Sequence, residues 1–207
     1  MRILCFGDSN TWGYISGTDH HRYDENKRWT RLLSKKLGPN YEIIEEGLNS
    51  RTLNSDYPLE YNRPYKKGLD YFYPCLTSQD KVDVIVIMLG TNDLKNFFNL
   101  TASDMLSNLR LYIDYVQNYK SIIDGSTPKL IISGIAPIDE NNCKTHYKGR
   151  VNIRNEYNVL SKNLCDKLGI PFVDNSDLQV GIDGVHITEQ SHVILAEKLY
   201  KEIKSYE

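Results

Sequence analysis

Residues 82–90, VDVIVIMLG, set six apolar side chains in a row from Val84 to Leu89. A strand with one face in water alternates apolar and polar residues. This run does not, so both of its faces need cover, which is the situation of a strand inside a parallel sheet. The run is also far shorter than the ~20 residues a helix needs to cross a bilayer. Four further runs of strand length occur at 2–6, 41–44, 129–133 and 170–173, and helical patterns fall between and after them at about 27–37, 69–76, 102–119, 151–168 and 188–205. Strand and helix thus alternate, which predicts an α/β fold: one parallel sheet covered on both faces, in a single domain over residues 1–207. Gly38-Pro39, Pro128 and Gly169 with Pro171 mark element ends. The stretches 14–26, 48–67 and 135–150 read as long loops.

Charge is nearly balanced, 25 Lys and Arg against 27 Asp and Glu, with no long segment of one sign, so nothing in it calls for a nucleic-acid partner. The pairs Lys35-Lys36 and Lys66-Lys67 read as solvated surface. The apolar run after Met1 stops at Phe6 and leads into Gly-Asp-Ser, without a small-residue cleavage site. The expectation is a chain that keeps Met1, resides in the cytoplasm and has no membrane partner. Cys5, Cys75, Cys143 and Cys165 show no CxxC or other metal-ligand spacing and are expected as free thiols.

In an open parallel sheet, ligands bind beyond the C-terminal ends of the strands, where the winding direction changes. The loops there are Gly7-Asp8-Ser9-Asn10, then 45–52 (EEGLNSRT), then Gly90-Thr91-Asn92-Asp93. With the strand order 2-1-3-4-5 all three are neighbours. Ser9 has two readings: a hydroxyl capping the next helix, or a nucleophile awaiting a base. Of five histidines, His20, His21, His146 and His192 read as surface groups without metal spacing. His186 differs, because Asp183 stands three residues before it in Asp183-Gly184-Val185-His186, placed to hold one ring nitrogen while the other faces a nucleophile. Asp8 and Asp93 read as loop-fixing or capping carboxylates.

Taken together and in this order, Gly7-Asp8-Ser9, Gly90-Thr91-Asn92-Asp93 and Asp183-Gly184-Val185-His186 resemble the conserved blocks of the SGNH (GDSL-type) hydrolases. The segments RILCFGDSNTWG, IEEGLNSRT and IMLGTNDLK are most similar to its bacterial arylesterase and acyltransferase branch. The resemblance spans nearly the whole chain. It implies a flavodoxin-like three-layer α/β/α sandwich with a five-stranded parallel sheet in the order 2-1-3-4-5. It further implies Ser9 as nucleophile, His186 as general base and Asp183 as the group orienting His186. The oxyanion hole would comprise Asn92 through its side chain and Ser9 and Ser50 through their backbone N–H groups, Ser50 standing where the family usually has Gly. Asn10 stands where the name-giving motif has Leu, a change expected to alter the pocket wall. Trp12 is assigned to the substrate pocket, while Tyr14, Phe97 and Phe98 are left between pocket and core.

The expected activity is hydrolysis of small carboxylic esters, short-chain acyl or aryl, through an acyl-enzyme, with acyl transfer to alcohols as a second outcome. The same site would serve a carbohydrate O-acetyl esterase or a thioesterase. No metal or other cofactor is required, the partner is a small-molecule ester, and the family resemblance allows a homo-oligomer. A rival of another class is a non-catalytic nucleotide- or phosphate-binding module of flavodoxin type, but the chain has neither GxGxxG nor GxxxxGK[ST]. An ordinary α/β-hydrolase is disfavoured, because no GxSxG elbow occurs.

Overall fold

Strand β1 (Arg2–Gly7) shows how the layers arise: Ile3 and Cys5 face one core while Leu4 and Phe6 face the other, as the two-residue period of a strand requires. The computed structural model describes residues 1–206. β1 is flanked by β2 (Glu42–Gly47) and β3 (Val84–Met88), followed by β4 (Lys129–Ser133) and β5 (Phe172–Val173), all parallel, in the order β2-β1-β3-β4-β5. Helices α3 (Gly68–Ser78), α4 (Ala102–Asn118) and α6 (Val151–Leu168) cover one face. Helices α2 (Trp29–Leu37) and α7 (Glu189–Lys204) cover the other. The result is the expected single-domain three-layer sandwich. No helix of the described residues is long and apolar enough to cross a membrane.

Several boundaries differ from the sequence reading, each for a tertiary reason. β2 does not stop at Ile44 but runs through Glu45 and Glu46 to Gly47. Hydropathy ends the strand there because it cannot see that Arg28 binds Glu45 with both Nε (2.7 Å) and Nη2 (3.0 Å). β5 loses its first two expected residues, since the Ile170 N–H closes the end of α6 on Cys165 O and Pro171 has no N–H to give. Two one-turn helices, α1 (Ser9–Trp12) and α5 (Lys144–Tyr147), arise where only loops were expected. His192 is not a surface group: it lies wholly buried in α7, its Nδ1 accepting the Trp29 N–H at 3.2 Å. Burial and the nearby His186 hold it neutral, down to about 3.

The register decides where a site can form. Gly7 pairs with Gly47 on one side and Met88 on the other, so the three strands end level. A Cβ at Gly47 would overlap the backbone of Trp12, so a glycine there lets α1 pack directly on the end of β2.

Candidate active site

Ser9 is the first residue of α1, one turn capped by Asp8, whose Oδ1 accepts the Asn10 N–H at 2.9 Å. The two readings of Ser9 therefore separate. Asp8 does the capping and the Ser9 hydroxyl is free to face the loop after β5.

That loop presents His186 through a tight turn at Gly184, whose φ of 74° places it in the left-handed region that favours glycine. The turn folds the Asp183 carboxylate back so that Oδ1 accepts the N–H groups of Val185 and His186, each at 3.0 Å. Asp183 Oδ2 lies 2.7 Å from His186 Nδ1, and His186 Nε2 lies 2.9 Å from Ser9 Oγ. Burial alone would raise the Asp183 carboxyl. The hydrogen bonds from the His186 ring and backbone overcome it and hold the group well below the usual carboxylate range. An ionised carboxylate only accepts, so Nδ1 carries the ring proton and the Nε2 lone pair faces the serine hydroxyl. Tyr14 stacks on the imidazole, ring centroids 4.2 Å apart, and limits its tilt.

Asn10 holds the two halves together. Its Oδ1 accepts the Ile187 N–H at 3.0 Å and its Nδ2 donates to Val185 O at 3.4 Å, so the residue next to Ser9 clamps the backbone on both sides of His186. The expectation that Asn10 reshapes the pocket wall is therefore corrected: it is buried and straps the histidine loop to α1.

The three expected oxyanion donors converge on the same cavity, of about 210 Å³, which Ser9, Ser50, Asn92, Asp183 and His186 all line. Among the described residues, the backbone N–H groups of Ser9 and Ser50 have no protein acceptor. Asn92 donates one amide hydrogen to Arg51 O at 3.0 Å and keeps the other. Its Oδ1 is gripped by Lys95 Nζ at 2.8 Å and the Tyr57 hydroxyl at 3.2 Å, which fixes which end of the amide faces the cavity. Ser50 sits at φ 68°, in the left-handed region that favours Gly, and its Oγ accepts from Arg63.

Trp12 does not line this cavity; its ring lies beneath the Arg22 guanidinium at 5.3 Å. Two residues on, Tyr14 takes the wall position, because the chain leaves α1 through Gly13 at φ 90° and reverses direction. Phe97 and Phe98 pack on Tyr57 and are likewise absent from the lining. Asp93 fixes the Leu53 N–H at 2.9 Å through one oxygen and 3.1 Å through the other. The residues missed from sequence are Lys95, Tyr57, Tyr147 and Arg63. Lys95 carried a usable signal, its place three residues after Asn92 in a tight turn, whereas Arg63 comes from a loop whose path no local pattern reveals.

Comparison with known proteins places the chain's fold and family. The structure of the native aryl esterase of M. smegmatis superposes with a TM-score of 0.89 at 31% identity, covering 99% of this chain and 98% of that one. Est24, a carbohydrate acetylesterase from Sinorhizobium meliloti, superposes with a TM-score of 0.89 at 29% identity over 100% and 99%. The uncharacterized lipoprotein YqeF of Bacillus subtilis is 25% identical over 91% of this chain and 76% of its own. The model of the GDSL-like lipase/acylhydrolase family matches residues 3–199. With that match over nearly its full length, the chain belongs to this family, the SGNH hydrolases, as one of its carboxylic ester hydrolases.

Proposed function

We propose that the protein hydrolyses small carboxylic esters with Ser9 as nucleophile, and the observation that carries this is the Asp183–His186–Ser9 relay at 2.7 and 2.9 Å on the cavity wall. Ser9 Oγ bonds to the carbonyl carbon while its proton passes to His186 Nε2. The carbonyl electron pair moves onto oxygen, toward the Asn92 amide and the Ser9 and Ser50 N–H groups. Collapse breaks the bond to the alcohol, which leaves with the proton from Nε2. Water then repeats the sequence on the acyl-enzyme, and an alcohol in its place gives acyl transfer. The names of the M. smegmatis and Est24 relatives support aryl and acetyl esters as first substrates. Four buried, unpaired thiols suit a reducing compartment and support a cytoplasmic enzyme. A fluorophosphonate should label Ser9 alone, as read by mass spectrometry of the peptides; a protein that hydrolyses p-nitrophenyl acetate with Ser9 unlabelled would overturn the assignment.

Ser50 separates backbone from side-chain chemistry. As its donor is the N–H, Ser50→Gly and Ser50→Ala should retain most of the kcat, the glycine also relieving about 1 kcal/mol of left-handed strain. Ser50→Pro removes the N–H and cannot reach φ 68°, so activity should be lost. Should Ser50→Ala prove as damaging as loss of Asn92, the hydroxyl and not the N–H would be the working group.

Lys95 adds an alkaline limb to the pH profile. Burial, then the Arg63 charge, bring its ammonium down to about 8, against the opposing pull of Asp8 and Asp93. Tyr57 and His146 also face it; burial raises the first and lowers the second, and Asp93 itself is pushed up to about 7 by burial. Below about pH 8 the charged amine polarises the Asn92 amide. Above it the charge is lost and the oxyanion donor weakens. The kcat should therefore fall several-fold above about pH 8. Lys95→Met should flatten the falling limb at a lower plateau, and a limb that persists in this variant would assign it to another group.

A further inference from the structure

The cavity at Ser9 has two walls of different chemistry. On one, Tyr14 stacks on His186 and the His20 ring meets Tyr14 edge-on at 5.9 Å. On the other, Arg63 donates to Ser50 Oγ and Lys95 donates to Asn92 and to the Tyr57 hydroxyl at 2.9 Å. The centre of the Tyr57 ring lies 5.0 Å from Lys95 Nζ and 5.9 Å from the Arg63 guanidinium, so one aromatic ring is within reach of both cations.

Among the described residues neither cation has a carboxylate partner. Asp183 is taken by His186, and Asp8 and Asp93 are buried, committed to the N–H groups of Asn10 and Leu53. The uncompensated charge shows in the neighbours: burial first and Arg63 next lower Lys66 and Lys95, and burial, Lys95 and Arg63 in turn lower His146. A guanidinium has five N–H donors, of which Arg63 uses one; an ammonium has three, of which Lys95 uses two. Lys95 is buried and Arg63 stands exposed at the cavity's edge, so an anion that enters the cavity meets free donors on both and adds a charge-assisted pair.

The position of that anion follows from the chemistry. The leaving alcohol takes its proton from His186 Nε2 and so lies along the Tyr14 wall, while the carbonyl oxygen faces the Asn92 amide and the Ser9 and Ser50 N–H groups; the acyl chain is then left to extend past these donors toward Arg63 and Lys95. We propose that the substrates are esters whose acyl chain ends in a carboxylate, hemiesters of short dicarboxylic acids, with that carboxylate paired to Arg63 and the charge of Lys95 beside it. This rests on Ser9 acting on esters in this cavity. The volume of about 210 Å³ suits an acyl chain of a few carbons.

The test compares two near-isosteric esters, monoethyl succinate and ethyl succinamate, by ethanol release at pH 7 in low salt. Wild-type kcat/KM should favour the hemiester by about tenfold, the usual size of one charge-assisted pair. The ratio should fall to about one in Arg63→Met and partly recover in Arg63→Lys, which keeps the charge but loses the fork. Because each enzyme is its own reference, a change in overall activity does not disturb the reading. A wild-type ratio at or below one, or a preference that survives Arg63→Met, overturns the inference. A preference found instead between acetoxyacetate and acetoxyacetamide would put the anion on the alcohol side and overturn it as well. If the wild type cleaves p-nitrophenyl acetate and only the ratio fails, the anion inference falls alone. If no ester is cleaved and Ser9 takes no fluorophosphonate, the Ser9 reading falls and this one with it.

Discussion

Ser9→Ala is expected to lower kcat for p-nitrophenyl acetate by about 10⁴-fold or more, because the acyl-enzyme has no other oxygen on which to form. The fold should not notice. The Ser9 hydroxyl makes one protein contact, to His186 Nε2, and the Ser9 backbone bonds that close α1 remain. Circular dichroism and the melting temperature should therefore match those of the wild type while turnover disappears. Residual activity within a hundredfold of wild type would mean that a different group attacks the ester. The substitution should also abolish fluorophosphonate labelling, so chemistry and labelling ought to vanish together.

Asn92→Ala should reduce kcat by about 10² to 10³ with little change in KM, the pattern of an interaction made mainly in the transition state. Two structural effects accompany the loss of the donor: Arg51 O loses its amide partner and Lys95 loses the Oδ1 that holds it. Asn92→Asp separates the second of these from catalysis, although a carboxylate likewise cannot donate to Arg51 O. The carboxylate keeps a shape that Lys95 and Tyr57 can grip, but it presents an acceptor where the oxyanion needs a donor. It should therefore be at least as inactive as the alanine variant while melting closer to the wild type. An active Asn92→Asp would show that residue 92 only supports the loop.

The parallel sheet was legible in the sequence because its central strands β1, β3 and β4 are buried on both faces and appear as apolar runs alternating with helical periodicity, whereas the order 2-1-3-4-5 was what the family resemblance implied. The residues of the Asp183–His186–Ser9 relay were picked out by the resemblance of three short blocks to the SGNH hydrolases, since the Ser9 turn and the Asp183-x-x-His186 spacing by themselves left their roles open. Each lies on a short local turn that places its own backbone, Asp8 capping α1 and Gly184 folding Asp183 onto His186, so few residues encode each fragment. Tertiary structure alone decided the rest. Glu45 continues β2 because Arg28, 17 residues earlier, neutralises it. Asn10 proved a strap across 177 residues to Ile187. His192, polar in sequence, is core because Trp29 gives it an N–H. Arg63 and Lys95 reach one cavity from separate loops, and Trp12 lies outside it against Arg22. In each case the outcome depends on a partner distant in the chain. A side chain's burial and charge state are fixed by the field and donors around it after folding, and local sequence carries no record of which neighbours those will be.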